Sequence, residues 1–394
     1  MKWKTIIMDL TRFTEKKTGE LIKIDGLLVS SHAFIPKPLP ISLQFPESTW
    51  RLLADAQGAI GALNGVGKYL PNPDLLLKPI QRREAQLSSE LEGTITNPQQ
   101  QLLFDFIQPR QSKDKSDQDI LEVENYRRAL VFFRDIQETY PLSLKLIQML
   151  HEILLKGVRG HDKEPGQFRR IPVQIGRPAR FIPPPPHLFK EHLYLLEKYI
   201  HQEKTIPPLI DAFLVHYQFE TIHPFRDGNG RVGRILLANM IAQSQQMTPC
   251  WLYMSSYFNE HKNEYLDRLF NVSADGQWDE WIEFCLNGVI EQAKDTLNRL
   301  DKLVNLSKNF KERITTIAGS HRLHTIIDEL FITPIVQTSR LAKRFDIRYP
   351  TAQKDIDKLV DSGILIMLSN TRPKTYINVD VFKIIFEDSL DAQT

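Results

Sequence analysis

The chain has 394 residues, 42% of them hydrophobic and 25% charged, with a formal net charge of +2 at pH 7. That length suggests two or three domains with a sizeable core, and the near-neutral balance argues against bulk nucleic acid as the dominant electrostatic partner. The two cysteines, Cys250 and Cys285, give no disulfide framework and no thiolate metal site, and they point to a reducing cytoplasm.

At the start of the chain, the apolar stretch after Met1 is too short for a signal peptide and is interrupted by Asp9 and Arg12. No segment approaches the ~20 apolar residues of a membrane span, so a soluble, unexported protein is expected. Residues 1–44 have mixed, partly extended character. From Pro46 a helix runs through Trp50, Leu53, Ala54 and Ile60 until Pro71 and Pro73 break it. A second helical segment, Leu75 to Glu92, stops at Gly93, a plausible C′ glycine. Residues 98–118 read as a polar connector, followed by helices over 119–138 and 142–156.

The period then changes. Residues 170–175 alternate, 176–180 turn the chain, and Phe181-Ile182-Pro183 returns it, which reads as a β-hairpin with one wet edge. The prolines Pro183 to Pro186 stiffen the adjoining loop as polyproline. Helices are expected over 187–203, 206–219, 230–245, 258–271 and 277–305, then a loose connector over 306–320. A compact module closes the chain: helices 321–332, 337–345 and 349–362, and strands near 364–369 and 374–379. That is a winged helix-turn-helix layout.

The densest chemistry lies in His223-Pro224-Phe225-Arg226-Asp227-Gly228-Asn229-Gly230-Arg231-Val232-Gly233-Arg234, directly before a strong helix former. Loop followed by helix N-terminus is an anion-binding layout, because the first N–H groups lack intrahelical partners. Gly228 and Gly230 allow close backbone approach and positive φ. Arg231 and Arg234 share a helical face and suit phosphate oxygens. Asp227 suits Mg²⁺ beside phosphate, or reads as a plain N-cap. His223 titrates near neutrality and can take a hydroxyl proton, or can merely cap. Together the parts describe a site for polyphosphate and a nucleophile that needs deprotonation.

This run resembles the Fic family signature His-Pro-Phe-x-Asp-Gly-Asn-Gly-Arg-x-x-Arg at every fixed position. The resemblance implies a mainly α fold: a Fic-type helical bundle with a β-hairpin flap, here with a C-terminal winged helix-turn-helix. The domains expected are 1–118 (N-terminal Fic-associated region with an inhibitory helix), 119–305 (Fic catalytic core) and 306–394 (winged helix). The implied activity is transfer of AMP from ATP, with Mg²⁺, to a Ser, Thr or Tyr hydroxyl of a protein, including the chain itself; a homodimer is also expected as a possible assembly. His223 would be the base and Asp227 the metal ligand. Gly228, Asn229 and Gly230 would cradle phosphate through backbone N–H groups and the Asn229 amide, and Arg231 and Arg234 would hold the β- and γ-phosphates.

By the same resemblance, 173–183 is the flap. Its edge would pair with an extended target segment, and Val173, Gln174, Ile175 and Gly176 would line the nucleotide site. Tyr265 and Asn271 stand where relatives place adenine- and ribose-contacting groups, or serve the core and helix surface. Leu266 occupies the place of a second tyrosine in some relatives. The segment Ser88-Ser89-Glu90-Leu91-Glu92-Gly93 is similar to the family's inhibitory pattern, which implies that Glu92 binds Arg234 and blocks the γ-phosphate site. Some relatives use this glutamate to position water and reverse the reaction.

Two rival readings stay open. The same core can support UMP or phosphoryl transfer. Alternatively the chain is a DNA-binding regulator whose core senses a ligand. In the C-terminal module Arg340, Lys343, Arg344, Arg348, Lys354 and Lys358 are offset by Asp346, Asp355, Asp357 and Asp361, which leaves DNA, a protein surface or a homodimer contact as its partner.

Overall fold

The computed structural model describes residues 8–13, 17–24, 31–69, 73–104, 115–137, 139–158, 162–176, 179–247, 250–315, 317, 320–369 and 371–391. Strands β1 (Gly19–Ile24) and β2 (Ser31–Pro36) form an antiparallel pair with Gly19 opposite Pro36. Helices α1 (Glu47–Tyr69), α2 (Pro73–Leu91), α3 (Pro98–Phe104), α4 (Lys115–Ile136) and α5 (Leu144–Leu154) follow. Next come α6 (Pro186–His201), α7 (Pro208–Ile222), α8 (Asn229–Ser244), α9 (Ser255–Glu260), α10 (Lys262–Asp275) and α11 (Trp278–Ile314). The chain ends with α12 (Ser320–Ile332), β3 (Ile335–Gln337), α13 (Thr338–Arg344), α14 (Tyr349–Asp361), β4 (Ile366–Met367), β5 (Thr375–Ile377) and α15 (Val379–Asp391).

The centre is α7. It is apolar all round, from Leu209 and Ile210 through Phe213, Leu214, Tyr217 and Phe219 to Ile222, and a helix with no polar face must be enclosed. It packs against α8, and the twelve-residue motif is the connection between them plus the first turns of α8. The motif is therefore held between two buried helices at one end of the bundle. The N-terminal strands lie against the flap: the Phe34 N–H donates to the Ile182 carbonyl (2.9 Å), and Phe34, Phe181, Phe270 and Met8 form a small second core.

Several sequence expectations shift. The connector over 98–118 begins as α3, whose first turn is capped by the Asn97 side chain receiving the Gln99 and Gln100 N–H groups; 105–114 lies outside the described residues. The segment expected as one helix over 258–271 is two, α9 and α10, meeting at His261. The connector over 306–320 is helical as far as Ile314, because Phe310 and Ile314 bury themselves and carry α11 on. The hairpin over 170–183 reduces to one bridge, Ile175 with Phe181; 177 and 178 lie outside the described residues. Prolines at 172 and 183 remove the donors a longer ladder would need.

In the C-terminal module the three helices and two later strands are present. A third strand, β3, completes a sheet of order β3-β5-β4, and α15 closes the chain. This module is not set apart: α12 and α15 both pack on α2, and α15 also meets α11. The Arg299 guanidinium on α11 donates to the Ile384 carbonyl.

Candidate active site

His223 ends α7 in the left-handed conformation (φ +51°), an uncommon state for a non-glycine residue. This turns the imidazole into the cleft. Its Nδ1 lies 3.2 Å from the Glu220 carbonyl, which fixes Nδ1–H and leaves Nε2 as the lone-pair nitrogen. Burial pushes the imidazole down to about 4, so it is neutral at physiological pH.

Arg169, unremarked in the sequence, holds this turn in place. It is buried, and its guanidinium donates to the carbonyls of His223 (2.8 Å), Ile222 (3.3 Å), Ile171 (3.3 Å) and Pro184 while resting on the Phe189 ring. One side chain thus ties Ile171 and Pro184, on either side of the flap, to the His223 turn. Only a planar five-donor fork can serve so many acceptors.

Gly228 caps α8 at φ +76°, and its N–H donates to Asp227 Oδ1 (2.6 Å). The Asp227 carbonyl accepts from His151 Nε2 (3.0 Å), whose Nδ1 receives the Gly166 N–H (2.9 Å). A backbone N–H is always a donor, so the His151 tautomer is settled. His151 also stacks on Phe225 at 3.8 Å. The Asp227 side chain is 46% exposed at the mouth of the loop.

Asn229 departs from its expected role. Its Oδ1 accepts the Phe225 N–H (2.8 Å) and its Nδ2 donates to the Phe225 carbonyl (2.9 Å). The amide closes the loop on itself and is not offered to a ligand, and the Gly228 N–H is likewise taken, by Asp227 Oδ1.

The two arginines differ. Arg234 is buried, with Nε on Ser88 Oγ (2.8 Å) and Nη2 on both the Ser88 carbonyl (2.9 Å) and Glu92 Oε1 (2.8 Å). Burial alone would raise the Glu92 carboxyl, but Arg234, with Arg231 behind it, holds it below the ordinary glutamate range. A Cβ at Gly230 would sit 2.2 Å from Glu92 Oε1, so glycine there is what admits the carboxylate. Arg231 is also buried, 3.5 Å from both Glu122 Oε2 and Asp227 Oδ1. Glu122 also accepts from Thr94 Oγ1 (2.8 Å), just beyond the Glu92 turn.

Beside these groups is a cleft of about 350 Å³. Ile175, Gly176, Phe181, Tyr265, Leu266 and Phe270 give it an apolar wall, with Glu92, His223, Gly230 and Arg234 at its polar end. Val173 and Gln174 are not on that wall. Tyr265 is, but its hydroxyl is turned inward to His216 Nε2 (2.9 Å) and is unavailable to a ligand. Asn271 faces away: its Oδ1 accepts from Arg12 (3.1 Å). Six residues separate Tyr265 from Asn271 along α10, which puts them on different faces, and residue type alone does not reveal which face is inward. Lys262 lines the cleft too, donating to the Leu91 carbonyl (2.6 Å) at the end of α2.

Fold and site define a helical-bundle protein with a glycine-rich loop at a helix N-terminus beside a buried arginine paired with a carboxylate. The chain carries both domains of one family: residues 50–132 match the Fic/DOC family N-terminal domain, and residues 141–241 match the Fic/DOC family domain. It is 33% identical over 122 residues to a probable protein adenylyltransferase of Aquifex aeolicus, and 35% identical over 107 residues to the protein adenylyltransferase Fic of Drosophila erecta. These matches cover 29% and 26% of this chain, and 38% and 20% of those relatives. Among solved structures, a Fic family protein from Desulfovibrio desulfuricans G20 superposes with a TM-score of 0.56 at 17% identity, over 85% of this chain and 97% of that one. Fic-1 from C. elegans gives 0.51 at 18% identity, over 64% of this chain and 74% of that one. At these identities the likeness shows the fold. Among the described residues, no helix is long and apolar enough to cross a membrane.

Proposed function

We propose that this chain is a protein adenylyltransferase restrained by Glu92. The observation that carries the reading is the single cleft in which a neutral histidine, a glycine-lined helix N-terminus and an arginine already bound to a carboxylate stand together. ATP places its adenine against the apolar wall and its phosphates on the backbone of 228–230. His223 Nε2 takes the proton of a Ser, Thr or Tyr hydroxyl as the oxygen attacks the α-phosphorus, and pyrophosphate leaves. Asp227 fits a hard cation: its Oδ1 is steadied by the Gly228 N–H, and the carboxylate stands half-exposed at the loop mouth. Mg²⁺ held there would neutralise phosphate charge.

Glu92 occupies the Arg234 donor that the γ-phosphate would use, and its charge repels phosphate, so bound ATP sits wrongly for in-line attack. The same carboxylate can hold a water for the reverse hydrolysis. The acceptor segment pairs with the exposed backbone of 171–174 beside the single bridge, where Ile171 is 48% exposed. The chain's own segments or a second copy can serve as acceptor. With Cys250 and Cys285 unpaired, we place the protein in the cytoplasm. The decisive experiment is incubation with α-³²P-labelled ATP, with and without Glu92→Gly: label should enter protein, and more of it in the variant. No label in either protein overturns the reading.

A second reading concerns the C-terminal module, which we read as a winged helix from its order of helix, strand, two helices and two strands. Asp355, one of four acids set against its basic face, is buried in an ion pair with Arg322 (2.6 Å). Arg344 of the basic set is likewise taken up, by Glu329 (3.1 Å), so the face stays mixed in charge, and DNA is the partner to test. A salt-dependent mobility shift of a duplex tests this; no shift at low salt removes it.

A further inference from the structure

The carboxyl of Glu220 lies behind the base, outside the chemistry assigned above to His223, Asp227 and Arg234. Glu220 sits three residues before His223 on the last turn of α7, with Oε2 4.0 Å from His223 Nδ1. The same residue's carbonyl lies 3.2 Å from that nitrogen. The Nδ1 side of the base therefore faces two acceptors from one residue.

The place for this carboxyl is built by α8. A Cβ at Gly233 would stand 2.1 Å from Glu220 Oε1 and 3.2 Å from its carboxyl carbon. Glycine inside a helix costs about 1 kcal/mol relative to alanine, and Gly233 has helical φ, so no turn requires it. It fills one of the two variable places between the motif arginines, and the notch it leaves is filled by Glu220. Oε1 is buried there with no hydrogen-bond partner among the described residues. A buried acceptor left unpaired is costly and calls for an explanation.

We propose that Glu220 is a positioning residue for the base: its carbonyl holds the Nδ1–H of His223, and its carboxyl, seated in the Gly233 notch 4.0 Å behind that nitrogen, stabilises through space the imidazolium that forms when Nε2 takes the acceptor's hydroxyl proton. The inference rests on His223 acting as the base. The proton runs from the acceptor oxygen to Nε2, while Nδ1–H stays on the Glu220 carbonyl. Burial pushes the Glu220 carboxyl up to about 8, against the pull of Arg234 and with the repulsion of Glu92 added. Arg234 faces it from α8, Tyr265 from α10 and Glu92 from the end of α2; His223 itself is flanked by Arg169, Glu92 and Asp227. Near neutrality the pair thus holds a neutral imidazole and a protonated carboxyl. Above about pH 8 the carboxylate ionises behind the base and strengthens it.

The test uses the full chain in the Glu92→Gly background. The rate of AMP incorporation from labelled ATP should rise with pH through about 8, on the order of tenfold, the worth of one pKa unit of base strength. Glu220→Gln, which fills the same notch, should abolish that rise and leave the acid limb near pH 4 in place. In parallel, NMR of labelled imidazole should show a second inflection of the His223 resonances near pH 8, absent in Glu220→Gln. The ¹³C carboxyl resonance of Glu220 in the otherwise unaltered chain should titrate with the same midpoint, a measurement that needs no variant at 220. The proposal is overturned if the rise or the inflection survives in Glu220→Gln, or if the unaltered carboxyl titrates in the ordinary glutamate range. If no protein incorporates AMP, the adenylyltransferase reading fails, and the two resonances still decide whether Glu220 and His223 are coupled.

Discussion

Glu92 Oε1 and Arg234 Nη2 meet at 2.8 Å across the space that Gly230 leaves by having no side chain. The contact joins residues 142 apart in sequence, and in the proposed reaction a polyphosphate would end at this arginine. The pair should behave asymmetrically. Glu92→Gly should raise self-AMPylation about a hundredfold, the cost of a misplaced reacting group. Arg234→Ala should lose transfer, since it removes the phosphate ligand together with the brake. Label incorporation, read beside a melting curve for each variant, checks both. Equal, low transfer in wild type and Glu92→Gly, with ATP bound equally well, would sink the idea.

His223→Ala, in the Glu92→Gly background, should lower transfer by ~10²–10⁴-fold, the usual worth of a positioned base, with ATP affinity by calorimetry nearly unchanged. Retention of more than a few per cent of the rate would remove the base assignment.

Asp227→Ala should abolish the Mg²⁺ dependence of transfer along with most of its rate, and excess EDTA should silence the unaltered site. Mn²⁺ should restore it, because it also accepts oxygen ligands. Full activity in EDTA would exclude a metal role for Asp227.

Arg169→Met should lower unfolding free energy by about 3 kcal/mol or more, because four backbone carbonyls lose their shared donor in a buried place. Arg169→Lys should recover little of it, since an ammonium cannot span those acceptors. Urea unfolding measures the change, and a loss within 0.5 kcal/mol for Met, on the order of a neutral surface change, would contradict the role.

Stability should depend on pH with two opposed limbs. Burial lowers His151 and His223 to about 4 and His216 to about 3. The unfolded chain takes these protons below about 6.5, so stability is complete above that pH and is lost as pH falls toward 4. Glu220, raised to about 8, acts oppositely: its contribution is present below about 4.5 and is lost as pH rises toward 8. Each proton sets a slope of about 1.4 kcal/mol per pH unit. Melting temperature should therefore climb from pH 4 to 6.5 and decline gently toward 8, and Glu220→Gln should flatten the decline. A midpoint independent of pH from 4 to 8 would refute the assignment.

The motif was legible because its chemistry is contiguous: base, acid, glycines and arginines lie in twelve residues, and the helix after it announces itself by composition. The α2 segment was legible by its end at Gly93, which adopts φ +90°. Helix positions in the core were likewise readable, since α5, α6 and α7 carry their burial in their own periodicity or in the lack of a polar face. Sequence by itself determined the glycine-rich loop at the start of α8, the histidine before it and the glutamate that meets Arg234.

Other features were decided only in three dimensions. Arg169, His151 and Glu220 look like ordinary polar residues until the fold withdraws water from them and leaves a few fixed partners. Asn229 and Tyr265 changed role because their polar atoms found partners inside the protein, Phe225 and His216, and a satisfied group has nothing left to offer a ligand. Asn271 fell on the outward face of α10, which residue type cannot foretell. The expected hairpin shrank to one bridge because its prolines lack donors, and α11 lengthened because Phe310 and Ile314 found a core to enter. Residue type limits what a side chain can do; which of those things it does depends on the neighbours that folding brings within about 3 Å, where hydrogen bonds form.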